Sequence, residues 1–311
     1  MKTAFVFSGQ GAQYTGMGKE FYDTFPVYKE LIDKASEVLQ LDMPELMFNN
    51  QELLNQTEYT QPAILAMSVA ASQVVKDELG VTPDATAGLS LGEYTALVES
   101  KAISYEEALV LVRKRGRFMT EAVPAGVGAM AAVMGLDRET VESVCRQSSS
   151  RGLVTPANYN MPGQIAIAGE KEAVAYAGDQ MKAAGAKRVI PLNVSGPFHT
   201  SLLQPAADKL ADELTRVHFS GMTIPVVTNL TGKVIPDTEA IRPTLIKQVM
   251  SPVYWEDCVE TLIAMGIDRF IEIGPGKTLS SFIRKINKQA AVQHVEDVKT
   301  LDKLRLFLTE S

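Results

Sequence analysis

The stretch from Ala85 to Val98, ATAGLSLGEYTALV, constrains the chain more than any other. A run of small and apolar residues meets Gly88-Leu89-Ser90-Leu91-Gly92, and a helix-forming segment follows at once. The two glycines permit a tight strand-to-helix turn that lifts Ser90 onto a strained elbow. There its hydroxyl faces a substrate, and the Leu91 N–H, at the helix N-terminus, is free to meet a developing oxyanion. Short Gly/Ser links between strand and helix are also common without any chemistry, so the rest of the chain must decide.

Around the elbow, 311 residues can bury a large core, most naturally one domain with a sizeable insertion. Apolar residues make up 46% and charged ones 22%, an ordinary globular balance. With 37 acidic against 30 basic residues, nothing favours nucleic acid or an anionic membrane; an anionic substrate would need local arginines or lysines. Cys145 and Cys258 fit a reducing compartment and have no metal-ligand spacing, so no metal is expected. The opening MKTAFVFSGQG reads as neither signal peptide nor membrane span, which makes the cytoplasm the expected location.

Two glycine-rich segments imitate nucleotide motifs and fail. After Gly9-x-Gly11 the third glycine of a dinucleotide fingerprint is Tyr14. In Gly274-Pro275-Gly276-Lys277-Thr278 the glycine that should precede Lys277 by six positions is Ile271.

Periodicity predicts a strand over 4–7, a helix over 17–41 turning at Pro26, and a short helix over 45–54. Thr60-Gln61-Pro62 is expected to open an apolar helix that runs to Leu79. From Gly126 the pattern is β-α-β-β-α-β: strands 128–134, 154–158, 164–168 and 186–194, with helices 137–147 and 171–184. That is a ferredoxin-like unit of about 70 residues, expected as an insertion over 126–195 in a large α/β domain formed by 1–125 and 196–311. Further on, 224–228 and 269–273 read as strands, Ser251-Pro252-Val253 as a helix break, and 254–265 as a helix.

The helix over 104–123 starts with a capping box, Ser104 with Glu107. Ala108, Leu111, Arg115, Phe118, Met119 and Ala122 share one face, so Arg115 lies on the apolar stripe while Arg113 and Arg117 point elsewhere. A buried guanidinium stays charged and must be paired. Its partner is either an internal carboxylate or a substrate carboxylate held bidentately.

A serine nucleophile needs a base, most often histidine. His294 lies in a strand-like run near the C-terminus, and His218 ends a polar helix where the dipole favours a cation. His199 follows Ser195-Gly196-Pro197-Phe198, where the insertion rejoins the large domain and a cleft is expected. It is the favoured base. No carboxylate stands out as a third member; a backbone or amide carbonyl could orient the imidazole.

Taken together, GQGAQ at 9–13, GLSLGE at 88–93, RGRFM at 115–119, NYNMPGQ at 158–164, GPFH at 196–199 and IEIGPGKTLS at 271–280 resemble the malonyl-CoA:acyl carrier protein transacylases of bacterial type II fatty acid synthesis. The resemblance spans essentially the whole chain. It implies an α/β-hydrolase-like large domain with an inserted ferredoxin-like domain. It further implies transfer of malonyl from malonyl-CoA to the phosphopantetheine thiol of acyl carrier protein, with no bound cofactor, by an expected monomer. By position, Ser90 matches the acylated nucleophile and His199 its base, with the N–H groups of Gln10 and Leu91 as oxyanion hole. Arg115 matches the grip on the malonate carboxylate, and Gln248 the residue whose carbonyl orients the histidine. Asn160 supports the pocket, and Phe198 matches the malonyl-preferring form, its bulk disfavouring a methyl branch. The family usually has histidine just before the nucleophile; here it is Leu89, which leaves His199 as the base and alters the pocket locally. Lys187 with Arg188, or Lys285 with Lys288, could meet an acidic carrier protein. The alternatives are a discrete polyketide-type acyltransferase, an acyl hydrolase, and a non-catalytic carrier-docking module.

Overall fold

The structure, a computed structural model, describes residues 1–194 and 196–310, so the expected domain boundary at Ser195 lies outside the described residues. Among the described residues the strands are β1 (Lys2–Phe7), β2 (Ala85–Gly88), β3 (Gly128–Met134), β4 (Val154–Met161) and β5 (Gln164–Glu170). They continue with β6 (Arg188–Pro191), β7 (Val226–Val227), β8 (Val253–Tyr254), β9 (Ile267–Ile273) and β10 (Ala291–Val295).

The large sheet runs β10-β9-β1-β2-β7, every pair parallel, with Phe7 of β1 opposite Gly88 on one side and Ile273 on the other. Parallel strands need crossover helices on both faces, which is why β1, after Lys2 and Thr3, is an unbroken apolar run over residues 4–7. Alternation sends Phe5 and Phe7 into one core, and Ala4 and Val6 into the other. Burying each phenylalanine contributes roughly 1.5–3 kcal/mol. The first core also takes the apolar faces of the Thr57–Leu79 and Tyr105–Ala122 helices.

The second sheet runs β6-β3-β5-β4-β8. Its first four strands are antiparallel, and with the Arg138–Ser148 and Lys171–Ala183 helices they make the expected ferredoxin-like arrangement around a third core. The strand β8 was not anticipated. Ser251 and Pro252 do end the Thr238–Gln248 helix, but Val253 and Tyr254 then lie parallel to Asn158 and Tyr159 of β4. The segment reads as a break because two residues are too few to show a period.

Other expectations shift in detail. The helix expected from Thr60 begins at Thr57 and carries Pro62 inside it. Proline removes one rung there, and burial on nearly every side of this helix offsets the loss. The helix expected over 45–54 divides into Met43–Phe48 and Gln51–Leu54, because Asn50 caps the second piece by accepting from the Leu53 N–H at 3.0 Å.

Candidate active site

The elbow forms where the carboxyl ends of β1, β2 and β7 converge, the usual ligand side of a parallel sheet. A Cβ on Gly88 would collide with the Gly92 carbonyl, and one on Gly92 with the Phe7 carbonyl, so only glycine lets the strand turn this tightly into the Gly92–Glu99 helix. Ser90 takes φ 53° at the apex, a strained value for a residue with a side chain.

Its hydroxyl meets two partners. Ser90 Oγ lies 2.8 Å from His199 Nε2 and accepts from Arg115 Nη2 at 3.1 Å. His199 Nδ1 lies 3.0 Å from the main-chain carbonyl of Gln248, which can only accept. The proton is therefore on Nδ1, and the lone pair of Nε2 faces the serine. Burial, then the Arg115 charge, lower the His199 pKa from 6.5 to about 4, leaving the ring neutral near pH 7. Like Ser90, His199 holds a positive φ, 60°. The other two histidines lie elsewhere: His218 is exposed after the Gln204–Leu214 helix, and His294 is on the edge strand β10, 3.8 Å from Glu296.

Arg115 is 1% exposed on the helix stripe where its spacing put it. Among the described residues it forms no ion pair. Nη1 donates to Gln61 Oε1 at 3.0 Å, and Nη2 also to Gln248 Oε1 at 3.0 Å. Its Nε has no acceptor among the described residues, so the guanidinium keeps donors to spare. Burial pushes its pKa down, while Tyr94 and Glu93 hold it up. Neutral groups, two amides and the Ser90 hydroxyl, rather than a carboxylate, accept from this cation.

A cleft of about 590 Å³ opens over Ser90 and His199, lined among others by Gln10, Asn160, Leu89 and Phe198. Leu89, in the place of the family's histidine, also packs against the second core. Gln10 is anchored by its side chain, which donates to Thr57 Oγ1 at 3.0 Å. Lys187, Arg188, Lys285 and Lys288 are all exposed. Cys145 and Cys258 are buried and free, and no metal-binding group of His, Cys, Asp and Glu occurs among the described residues. Neither glycine-rich decoy holds a phosphate loop; at the second, the N–H groups of Leu279 and Ser280 donate to Glu272, at 3.1 and 2.6 Å. That carboxylate occupies the helix N-terminus where a phosphate would sit.

Three residues of the site escaped the sequence reading. Asn229, just beyond β7, accepts from the Ser90 N–H at 2.6 Å through Oδ1 and donates to the Gly88 carbonyl at 2.7 Å through Nδ2. Glu93 is fully buried and accepts from the Asn229 N–H at 3.0 Å and from Gln248 Nε2 at 3.1 Å. Burial pushes its pKa up. Gln61 is the third, as the Arg115 partner. None of the three left a local signal; Glu93 stands in the first turn of its helix, where an acid is ordinary.

A serine on an elbow beside a neutral imidazole and a buried arginine is a site built for moving acyl groups, and the chain belongs to the acyl transferase domain family, which matches residues 4–305. Within that family it falls among the malonyl CoA-acyl carrier protein transacylases. It is 46% identical to that of Bacillus subtilis over 97% of this chain and 95% of the relative. The Clostridium perfringens malonyl CoA-acyl carrier protein transacylase superposes with a TM-score of 0.96 at 48% identity, covering 100% of this chain and 98% of that one. A malonyl-transacylase solved in complex with its type II polyketide acyl-carrier protein gives 0.95 at 43% identity, covering 97% and 98%.

Proposed function

We propose that this chain transfers malonyl from malonyl-CoA to the phosphopantetheine thiol of an acyl carrier protein through an acyl-enzyme on Ser90. One observation carries the reading: Ser90 Oγ lies within hydrogen-bond reach of a base, His199 Nε2 at 2.8 Å, and of a cation, Arg115 Nη2 at 3.1 Å. The malonyl carboxylate binds the spare donors of Arg115, which places the thioester carbonyl over Ser90. His199 Nε2 takes the hydroxyl proton as Oγ bonds to that carbon. The oxyanion sits on the N–H groups of Gln10 and Leu91, each such donor being worth about 2.7–4 kcal/mol. The C–S bond then breaks, and coenzyme A leaves as the thiol with the proton from His199.

In the second half the carrier thiol gives its proton to His199. Its sulfur attacks the ester carbonyl, the C–O bond breaks, and Ser90 recovers the proton. Proton transfer and thioester exchange need no cofactor. The Gln248 main-chain carbonyl orients His199, Asn160 supports the pocket, and Phe198 narrows it against a methyl branch. An acetyl group would leave Arg115 unpaired, a discrimination well beyond what one methylene supplies.

The division into a large domain, 1–125 with 196–311, and a small one, 126–195, is supported by the separate sheets and by the third core, while the other face of the small sheet joins the first core through Met130, Ala157, Ala166 and Ala168. β8 is a piece of the large segment lent to the small sheet. We place the enzyme in the cytoplasm as a monomer; no described helix is long and apolar enough to cross a membrane. The similarity to the polyketide malonyl-transacylase gives a second reading of the acceptor, in which the carrier serves polyketide synthesis.

Intact-protein mass after brief mixing with malonyl-CoA tests the first half-reaction. Wild type gains one malonyl group and Ser90→Ala gains none. A Ser90→Ala protein that still acquires malonyl would remove Ser90 from the mechanism, and rapid release of free malonate without carrier would make the chain a hydrolase.

A further inference from the structure

Ser90, His199 and Arg115 come from three distant parts of the chain, yet their hydrogen bonds converge on one buried group. Asn229 uses all four of its polar groups. Its side chain spans the elbow from the Gly88 carbonyl to the Ser90 N–H, its own N–H donates to Glu93, and its carbonyl accepts from Tyr254 at 2.9 Å. Gln248 then closes the circuit. Its Nε2 donates to the Ser90 carbonyl at 2.9 Å and to Glu93 at 3.1 Å, its Oε1 accepts from Arg115, and its main-chain carbonyl accepts from His199. Both peptide groups flanking the Ser90 Cα are thus held by side-chain amides, and one carboxylate, Glu93, accepts from the Asn229 main-chain N–H and from the Gln248 side chain.

A residue at positive φ keeps that conformation only where its surroundings over-determine it. At the elbow no strand partner is available for the Ser90 N–H, and burying it unpaired would be costly. Asn229 supplies the missing acceptor.

We infer that Asn229 and Glu93 are positioning residues, which set Ser90 Oγ against His199 and Arg115 by fixing the elbow and Gln248 together. Neither touches the substrate in this scheme. The inference rests on the Ser90 acyl-enzyme reading.

The test is single-turnover acylation by malonyl-CoA, read as a maximal rate and a half-saturating concentration, with near-UV circular dichroism and Tm measured on each protein. Asn229→Ala frees the elbow, and displacement of a reacting atom by about 1 Å costs on the order of 10²-fold in rate. The expected result is a maximal rate lower by about that factor, with half-saturation within about threefold of wild type because Arg115 remains. Glu93→Gln keeps an acceptor for Asn229 and Gln248 and should stay within about tenfold of wild type, while Glu93→Leu should fall as far as Asn229→Ala. The Glu93 pair decides the matter if Asn229→Ala fails to fold.

A folded Asn229→Ala that acylates within about twofold of wild type would overturn the inference. So would equal losses in Glu93→Gln and Glu93→Leu, or a loss in Asn229→Ala that disappears on cooling below its Tm. No Ser90 adduct on the wild-type protein would instead overturn the acyl-enzyme reading itself.

Discussion

At the scale of single residues, the Ser90–His199 pair works only while Nε2 is unprotonated. Solvent exclusion and the Arg115 charge hold the imidazole pKa near 4, well below its ordinary 6.5. On the proposed mechanism, kcat/KM stays level down to about pH 5 and drops about tenfold per unit below the folded-state pKa. A pH–rate profile with malonyl-CoA checks this, and an acid limb centred near 6.5 would contradict it. The same shift affects stability. Between about pH 4 and 6.5 the unfolded chain binds the proton more readily than the folded one, so this contribution is complete above 6.5 and fades as pH falls towards 4. Arg115 and His199 were legible because each breaks a local pattern, a cation on an apolar stripe and a histidine after a Gly-Pro junction. Asn229 was not. It is one amide after a two-residue strand, 139 positions from the serine it holds, and no period or motif signals such a contact.

Among the elements, the elbow depends on backbone passing backbone. Gly88→Ala would drive a methyl group into the Gly92 carbonyl, which cannot move without shifting the following helix. The expected cost is about 3 kcal/mol, at the upper end for overpacking. It would be read as a lower urea midpoint at unchanged m, with malonyl acylation falling in parallel. Wild-type stability and acylation in Gly88→Ala would mean that the turn has slack. The elbow, the capping box and the four antiparallel strands of the small sheet follow from signals spanning a few residues, which is why they could be read in advance. Ser104 does accept from the Glu107 N–H at 3.2 Å. The strand β8 and the proline inside the Thr57–Leu79 helix depend on what lies across the fold, so local pattern was silent about both.

Over the whole molecule, the cleft lies between the two sheets, and its shape depends on how firmly they are joined. The rings of Tyr159 on β4 and Tyr254 on β8 stack at 4.9 Å, 10° from parallel. Arg138, in the small domain, lies 4.5 Å from the Tyr159 ring centre and pairs with Asp257 of the large one at 2.7 Å. This junction passes through Tyr254 directly to Asn229, so the scaffold between the domains and the elbow is continuous. On the proposed mechanism, this scaffold presents a serine to a thioester whose far end is held by a buried arginine. The most direct test of that mechanism compares malonyl-CoA with acetyl-CoA as donors to holo-acyl carrier protein, for wild type and Arg115→Ala, by the mass of enzyme and carrier. Wild type should load malonyl on Ser90 and pass it to the carrier thiol while taking little acetyl. Arg115→Ala should lose malonyl transfer by at least about 10²-fold and gain acetyl relative to malonyl. An Arg115→Ala enzyme that still prefers malonyl as strongly as wild type would contradict the account.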